Sequence, residues 1–231
     1  MSARAAILGA VAAGLNRDSD KSGGEKAVAE RLSRHARSLI PARGDLDRSG
    51  RIDLFADLIA QVDATVDRVA ANTDVPGALA VFLRDQNLPA RAVRAPDPRL
   101  DAIPWADQPQ LDLHTGKAVP ADEVSVTGAF GAIAETGTLM LTSGPDSPTT
   151  LNFLPETHVV VLWADQITGN FESQWDALRS SHGEGKMPRT VNFITGPSRS
   201  ADIEQTLQLG AHGPRRLHVI IVDEPPPETA R

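Results

Sequence analysis

Beyond Val75, short apolar runs alternate with stretches of mixed polarity. DEVSVTGA, GTLMLTS, THVVVLWA, RTVNFIT and RRLHVIIVD are rich in β-branched residues, and several are nearly unbroken in Val, Ile and Leu. Runs of this kind are buried on both faces, which predicts a mainly parallel sheet covered by helices. PGALAVFLRDQNL has Pro76 near its first turn and Leu79, Phe82 and Leu83 on one side, the pattern of a helix. A short strand at Arg91–Arg94 follows. The expected fold class is α/β, a mainly parallel sheet flanked by helices. PPPE after Asp223 cannot continue a strand ladder and ends the fold in a loose tail over 225–231.

Before Val75 the chain is more polar and its periodicity is helical. In RIDLFADLIAQVDATVDRVA, Ile52, Phe55, Leu58, Ile59, Val62 and Val66 recur at spacings of three and four, which predicts one long helix. MSARAAILGAVAAGL reads as an amphipathic helix, and Gly23–Gly24 and the stretch Pro41–Gly50 read as mobile connections. The organisation expected is an N-terminal helical arm over 1–50, an α/β domain over 51–224 and the tail.

Composition narrows the function classes. The 231 residues carry a net charge of -7, whereas nucleic-acid binders gain affinity from clustered Lys and Arg that release counterions, so nucleic acid is excluded as a partner. No apolar run approaches the roughly 20 residues that span a bilayer, which makes cytoplasm the expected location. The chain has no cysteine; it has no thiol to form a disulfide, to ligate an iron–sulfur cluster or to act as a nucleophile. The six histidines show no ligand-pair spacing, so no metal site is expected. Neither G-x-G-x-x-G nor G-x-x-x-x-G-K-[ST] occurs, which removes support for dinucleotide and phosphate-loop readings.

Three segments could carry chemistry. TGPSRSADIE, from Thr195 to Glu204, follows the apolar run VNFI. Leaving the carboxyl end of a parallel strand and entering a helix, it would be an anion site, with Gly196 and Pro197 shaping the turn and Ser198 or Ser200 capping the helix. Arg199 would add a bidentate cation, and Asp202 would lie in the first helical turn. A well-capped turn explains the same residues. In LGAHGPRR, Gly210 would end that helix, and His212 is a candidate acid or base, or else a plain turn histidine. In GAFGAIAETGTLMLTSG, Glu135 is a carboxylate in an apolar, glycine-bearing stretch, either a catalytic acid or base or half of an ion pair, with Arg199 a conceivable partner. Thr136, Gly137 and Thr138 would offer it hydroxyl and backbone donors. Trp163, Asp165 and Gln166 would share a sheet edge with the Gly196 loop if the strands are parallel, and Ser143–Thr150 would serve as a lid. His158 reads as a strand-end histidine.

AETGTLML (Ala134–Leu141), LPETHVVVLWADQI (Leu154–Ile167), RTVNFITGPSRSADIE (Arg189–Glu204) and LGAHGPRRLHVIIVD (Leu209–Asp223) together resemble the lactate-utilisation protein C family, also called the LUD domain. The resemblance implies the fold of ribose-phosphate isomerases, glucosamine-phosphate deaminases and CoA transferases; in the last of these a glutamate is the nucleophile, but Glu135 does not align to it from sequence alone. It also implies a part in bacterial oxidation of L-lactate to pyruvate, with iron–sulfur clusters on separate partner proteins and no cofactor in this chain. Two other readings stand beside it. One is a stand-alone enzyme acting on a small phosphorylated, CoA-linked or carboxylate substrate, and the other is a scaffold that docks a partner through its arm.

Overall fold

The computed structural model describes residues 2–15, 21–183, 185–200, 208–209 and 212–227. They fall into two units, Met1–Leu39 and Ile40–Arg231. The first holds helices α1 (Ala3–Gly14) and α2 (Lys21–Arg34). Ser2 caps α1 by accepting from the Ala5 N–H at 3.3 Å, and Ile7, Leu8 and Val11 along it are exposed.

The second unit runs through α3 (Arg48–Ala60), β1 (Thr65–Val69), α4 (Val75–Asp85), β2 (Arg91–Arg94), α5 (Pro98–Asp101), β3 (Asp112–Thr115) and β4 (Val124–Gly128). There follow β5 (Gly131–Ile133), β6 (Thr138–Thr142), α6 (Thr150–Phe153), β7 (Thr157–Trp163), β8 (Ile167–Thr168) and α7 (Phe171–His182). Strands β9 (Val191–Ile194), β10 (Arg199–Ser200), β11 (Gln208–Leu209) and β12 (Arg216–Val222) complete the chain.

Six strands form the main sheet in the order β1-β12-β7-β4-β2-β3, every pair parallel. Alternation along the central strands divides two cores. Val159, Val161, Trp163, Ile220 and Val222 face α4 through Leu79, Phe82 and Leu83. Val160, Leu162, Val219 and Ile221 face α3 and a second sheet through Ile52, Phe55, Ile59, Leu139 and Leu141. Burial on both faces is the reason these strands are near-continuous in Val, Ile and Leu. The second sheet, in the order β8-β5-β6-β9, is mixed, with β6 antiparallel to both neighbours.

Three expectations are corrected. The helical pattern over 51–70 breaks after Ala60: Asp63 takes a left-handed φ of 67°, and Thr65–Val69 becomes an edge strand against β12. The β-branched Thr65, Val66 and Val69 suit that pleated surface better than a helix. Pro41–Gly50 is not a loose connection, because Gly44 is buried where a side chain would run into the Gly169 carbonyl, and Asp47 caps α3 by accepting from the Gly50 N–H at 2.8 Å. Strand β9 does not join the parallel sheet; it pairs antiparallel with β6, and its part-exposed residues match a second-layer strand.

Candidate functional site

Because β9 lies in the second sheet, the TGPS turn crosses from that layer back towards β12. The turn is tight: a Cβ on Gly196 would stand 3.0 Å from the Val62 carbonyl oxygen. The Ser198 N–H donates to the Pro214 carbonyl at 2.7 Å, which ties the TGPS turn to the HGP turn. Together the two turns wall a cavity of about 230 Å³, lined by Thr195, Gly196, Pro197, Ser198, His212, Gly213 and Pro214 and by the apolar Phe153, Phe193, Ile194 and Leu217.

Two further polar side chains line the same cavity, Asn152 from α6 and His158 from β7. Ser125 holds α6 in place by donating its hydroxyl to the Leu151 carbonyl at 2.6 Å. Asn152 is 1% exposed and His158 is fully buried. The ring Nε2 of His158 lies 2.8 Å from the Thr127 hydroxyl, while its Nδ1 has no partner within the protein. Neither Oδ1 nor Nδ2 of Asn152 has one. Burial pushes the His158 pKa down to about 3, so the ring is neutral at neutral pH. Buried polar groups are normally hydrogen-bonded, so Asn152 and His158 stand out as enclosed polar side chains with three atoms that lack a partner within the protein.

Of the residues singled out from sequence, Gly196, Pro197, Ser198 and His212 line this cavity, with His212 at its exposed end. Arg199 does not. It forms an ion pair with Asp63, so the proposed Arg199–Glu135 pair is absent. Arg199 and Ser200 form a strand against Gln208–Leu209 rather than a helix N-terminus. Asp202, Gly210 and residues 201–207 of the expected helix lie outside the described residues, whereas Gln208 and Leu209, expected at the end of that helix, are strand.

Glu135 sits in a 3-10 turn, Ala134–Thr136, that Gly137 ends with a φ of 62°. It is 4% exposed and does not line the cavity. Its Oε1 accepts from the Phe171 N–H at 3.2 Å, at the start of α7, and its Oε2 is unpartnered. Thr136 and Thr138 come closer to the cavity: their hydroxyls are 2.7 Å apart, and Thr138 is 2.9 Å from the hydroxyl of Thr195 on the cavity wall.

The cavity lies at the amino ends of β7 and β12, where His158 pairs with Leu217, and not at the carboxyl ends where open α/β sheets commonly bind ligands. The carboxyl edge is closed by internal bonds. The indole N–H of Trp163 donates to Asn72 at 2.8 Å, Arg99 lies 4.8 Å over the Trp163 ring, and Arg48 pairs with Asp165 at 2.7 Å. Trp163, Asp165 and Gln166 therefore share no cleft with the Gly196 turn. Among the described residues no cluster of three or more His, Asp or Glu is placed to hold a metal, and no helix is long and apolar enough to cross a membrane.

Asn152 and His158 escape a reading by motif. The signal for His158 is its position: a histidine heading a run buried on both faces has to be accounted for inside the fold.

Fold and cavity together define an α/β protein with a parallel six-stranded sheet, a small mixed second sheet and a polar-floored cavity between loops. The LUD domain matches residues 115–222. Lactate utilization protein C of Deinococcus radiodurans is 32% identical over 183 residues, 79% of this chain and 84% of that protein. The uncharacterized protein NMB1437 of Neisseria meningitidis is 34% identical over 119 residues, and Lactate utilization protein C of Shouchella clausii is 33% identical over 102. The chain spans about half the length of these two relatives, 50% and 44% respectively. A crystal structure of a DUF162 family protein from Deinococcus radiodurans superposes with a TM-score of 0.58 at 28% identity, covering 77% of this chain and 99% of that one. The chain belongs to the LUD domain, lactate utilization protein C, family.

Proposed function

We propose that this protein is a component of a bacterial L-lactate utilisation system, supporting the oxidation of L-lactate to pyruvate together with iron–sulfur partner proteins. The observation that carries this reading is the similarity to Lactate utilization protein C of Deinococcus radiodurans across 84% of that relative. Oxidation of a hydroxy acid to an oxo acid releases two electrons and two protons. A chain without cysteine has no thiolate to ligate a cluster, so the reading assigns the clusters to its partners. This chain's share is then to hold a small substrate or to assemble the complex.

Deleting the gene tests the role. Growth on L-lactate as sole carbon source should stop while growth on pyruvate continues, and the intact gene should restore it. Growth on L-lactate that survives this deletion but not deletion of the partner genes would overturn the role.

A further inference from the structure

We infer that the carboxyl corner of β2 and β3 binds the phosphate group of a small phosphorylated molecule, on Arg94 Nη2 and the Thr115 hydroxyl, in the place that the Asp101 carboxylate holds in this structure. The inference rests on geometry and charge and not on the lactate-utilisation role.

Connections diverge beside this corner. The chain leaves β2 outwards to β3, the edge of the main sheet, and leaves β4 in the other direction, through the second sheet, to β7. The carboxyl ends of β2 and β4 therefore flank the kind of switch point at which open α/β sheets take ligands. Arg94 is the last residue of β2, in register with Val126 of β4 on one side and with Thr115, the last residue of β3, on the other.

Arg94 is 9% exposed, a cation taken almost wholly out of water. Its Nε and Nη1 are enclosed without partners in the protein, and its guanidinium lies 6.0 Å from the Trp105 ring. Only Nη2 meets polar groups: it donates to the Thr115 hydroxyl at 3.0 Å and forms an ion pair with Asp101 at 2.6 Å. A buried charge needs a counter-charge, yet the Asp101 side chain is 56% exposed and reaches Arg94 from the solvent side. An anion that replaces it comes by the same open side and meets Nη2, not the enclosed nitrogens. Thr115 is exposed, and because its oxygen accepts from Arg94 its own O–H is left to donate outwards. A Cβ on Gly116 would meet nothing within 4 Å, so the strand end has room, and Lys117 is exposed just beyond it. Arg94 and Lys117 bring two positive charges to one strand end, which matches the roughly two negative charges of a phosphate monoester better than the single charge of a carboxylate.

The test is calorimetric titration of the full chain, at constant ionic strength, with inorganic phosphate, glycerol phosphate, glycerol and acetate, in wild type, Asp101→Asn, Thr115→Val and Arg94→Met. Inorganic phosphate and glycerol phosphate should bind wild type, and glycerol and acetate should not. Asp101→Asn removes the carboxylate that competes for Nη2 and should bind phosphate at least tenfold more tightly. Thr115→Val should weaken phosphate several-fold, and Arg94→Met should abolish binding. If the Arg94–Asp101 pair only fastens α5 to the sheet, Asp101→Asn lowers the unfolding midpoint and gains no affinity for phosphate, and that result overturns the inference. It is overturned as well if neither wild type nor Asp101→Asn binds phosphate, if acetate binds as tightly as phosphate, or if Thr115→Val binds phosphate as wild type does. Thr115 is exposed, so its variant decides the matter even where Arg94→Met does not fold.

Discussion

His158 keeps a neutral ring in a place where a proton would be costly, and His218 does the same on the opposite face of the sheet. Burial holds their pKa values down to about 3 and about 4, from an ordinary value near 6.5. His218 stacks on Phe82 at 3.9 Å, accepts or donates at Thr65 at 2.8 Å, and lies 3.6 Å from Asp67, beyond hydrogen-bond reach. The sign follows from proton uptake. Below pH 6.5 the unfolded chain binds protons that the folded chain refuses, so stability falls with pH at up to about 1.4 kcal/mol per unit for each histidine. Between pH 7.5 and pH 5.0 the pair should cost on the order of 4 kcal/mol. Asp67, raised by burial and next by Asp85, acts in the opposite direction but only nearer the carboxylate range. Denaturant unfolding across that window should show the decline, and His158→Gln, which can keep a bond to Thr127, should remove about half of it. Glu135 is a residue of another kind. Its carboxylate accepts from the Phe171 N–H at the start of α7, beside the Asn170 cap, so Glu135→Ala should cost on the order of 1–2 kcal/mol, read as a lowered denaturation midpoint. Arg199→Ala breaks a pair whose side chains are 34% and 73% exposed and should cost less than about 1 kcal/mol.

At the scale of elements, what burial dictates was legible and what pairing dictates was not. Strands β7 and β12 are covered on both faces, and the apolar runs VVVLW and VIIV announce it, whereas β4, equally buried, carries Ser125 and Thr127 between its valines. Strand β1 hides inside a helical spacing because an edge strand five residues long has too few positions to impose a period of two. The extended character of β9 is in its residues, but its antiparallel partner is set by contacts with β6 that no local pattern records. The glycines of 128–137 do mark close approaches, and the approaching groups belong to the protein. A Cβ on Gly137 would come within 2.6 Å of the Ile59 nitrogen at a left-handed φ. Gly137→Ala should therefore destabilise by about 1–3 kcal/mol, measurable as a lowered denaturation midpoint at unchanged slope. The candidate site was half legible for the same reason. Gly196, Pro197, Ser198 and His212 stand out as turn residues after and before strands, whereas Asn152 joins His158 only through the docking of α6 on the sheet.

At the scale of the molecule, the proposed role gives this cysteine-free acidic chain one share of an oxidation whose electrons its partners would carry. The measurement that tests the proposed role most directly is growth on L-lactate of a strain lacking the gene, with and without the wild-type gene restored. The role predicts no growth on L-lactate without the gene, growth once it is restored, and equal growth of both strains on pyruvate. Growth on L-lactate without the gene would contradict it.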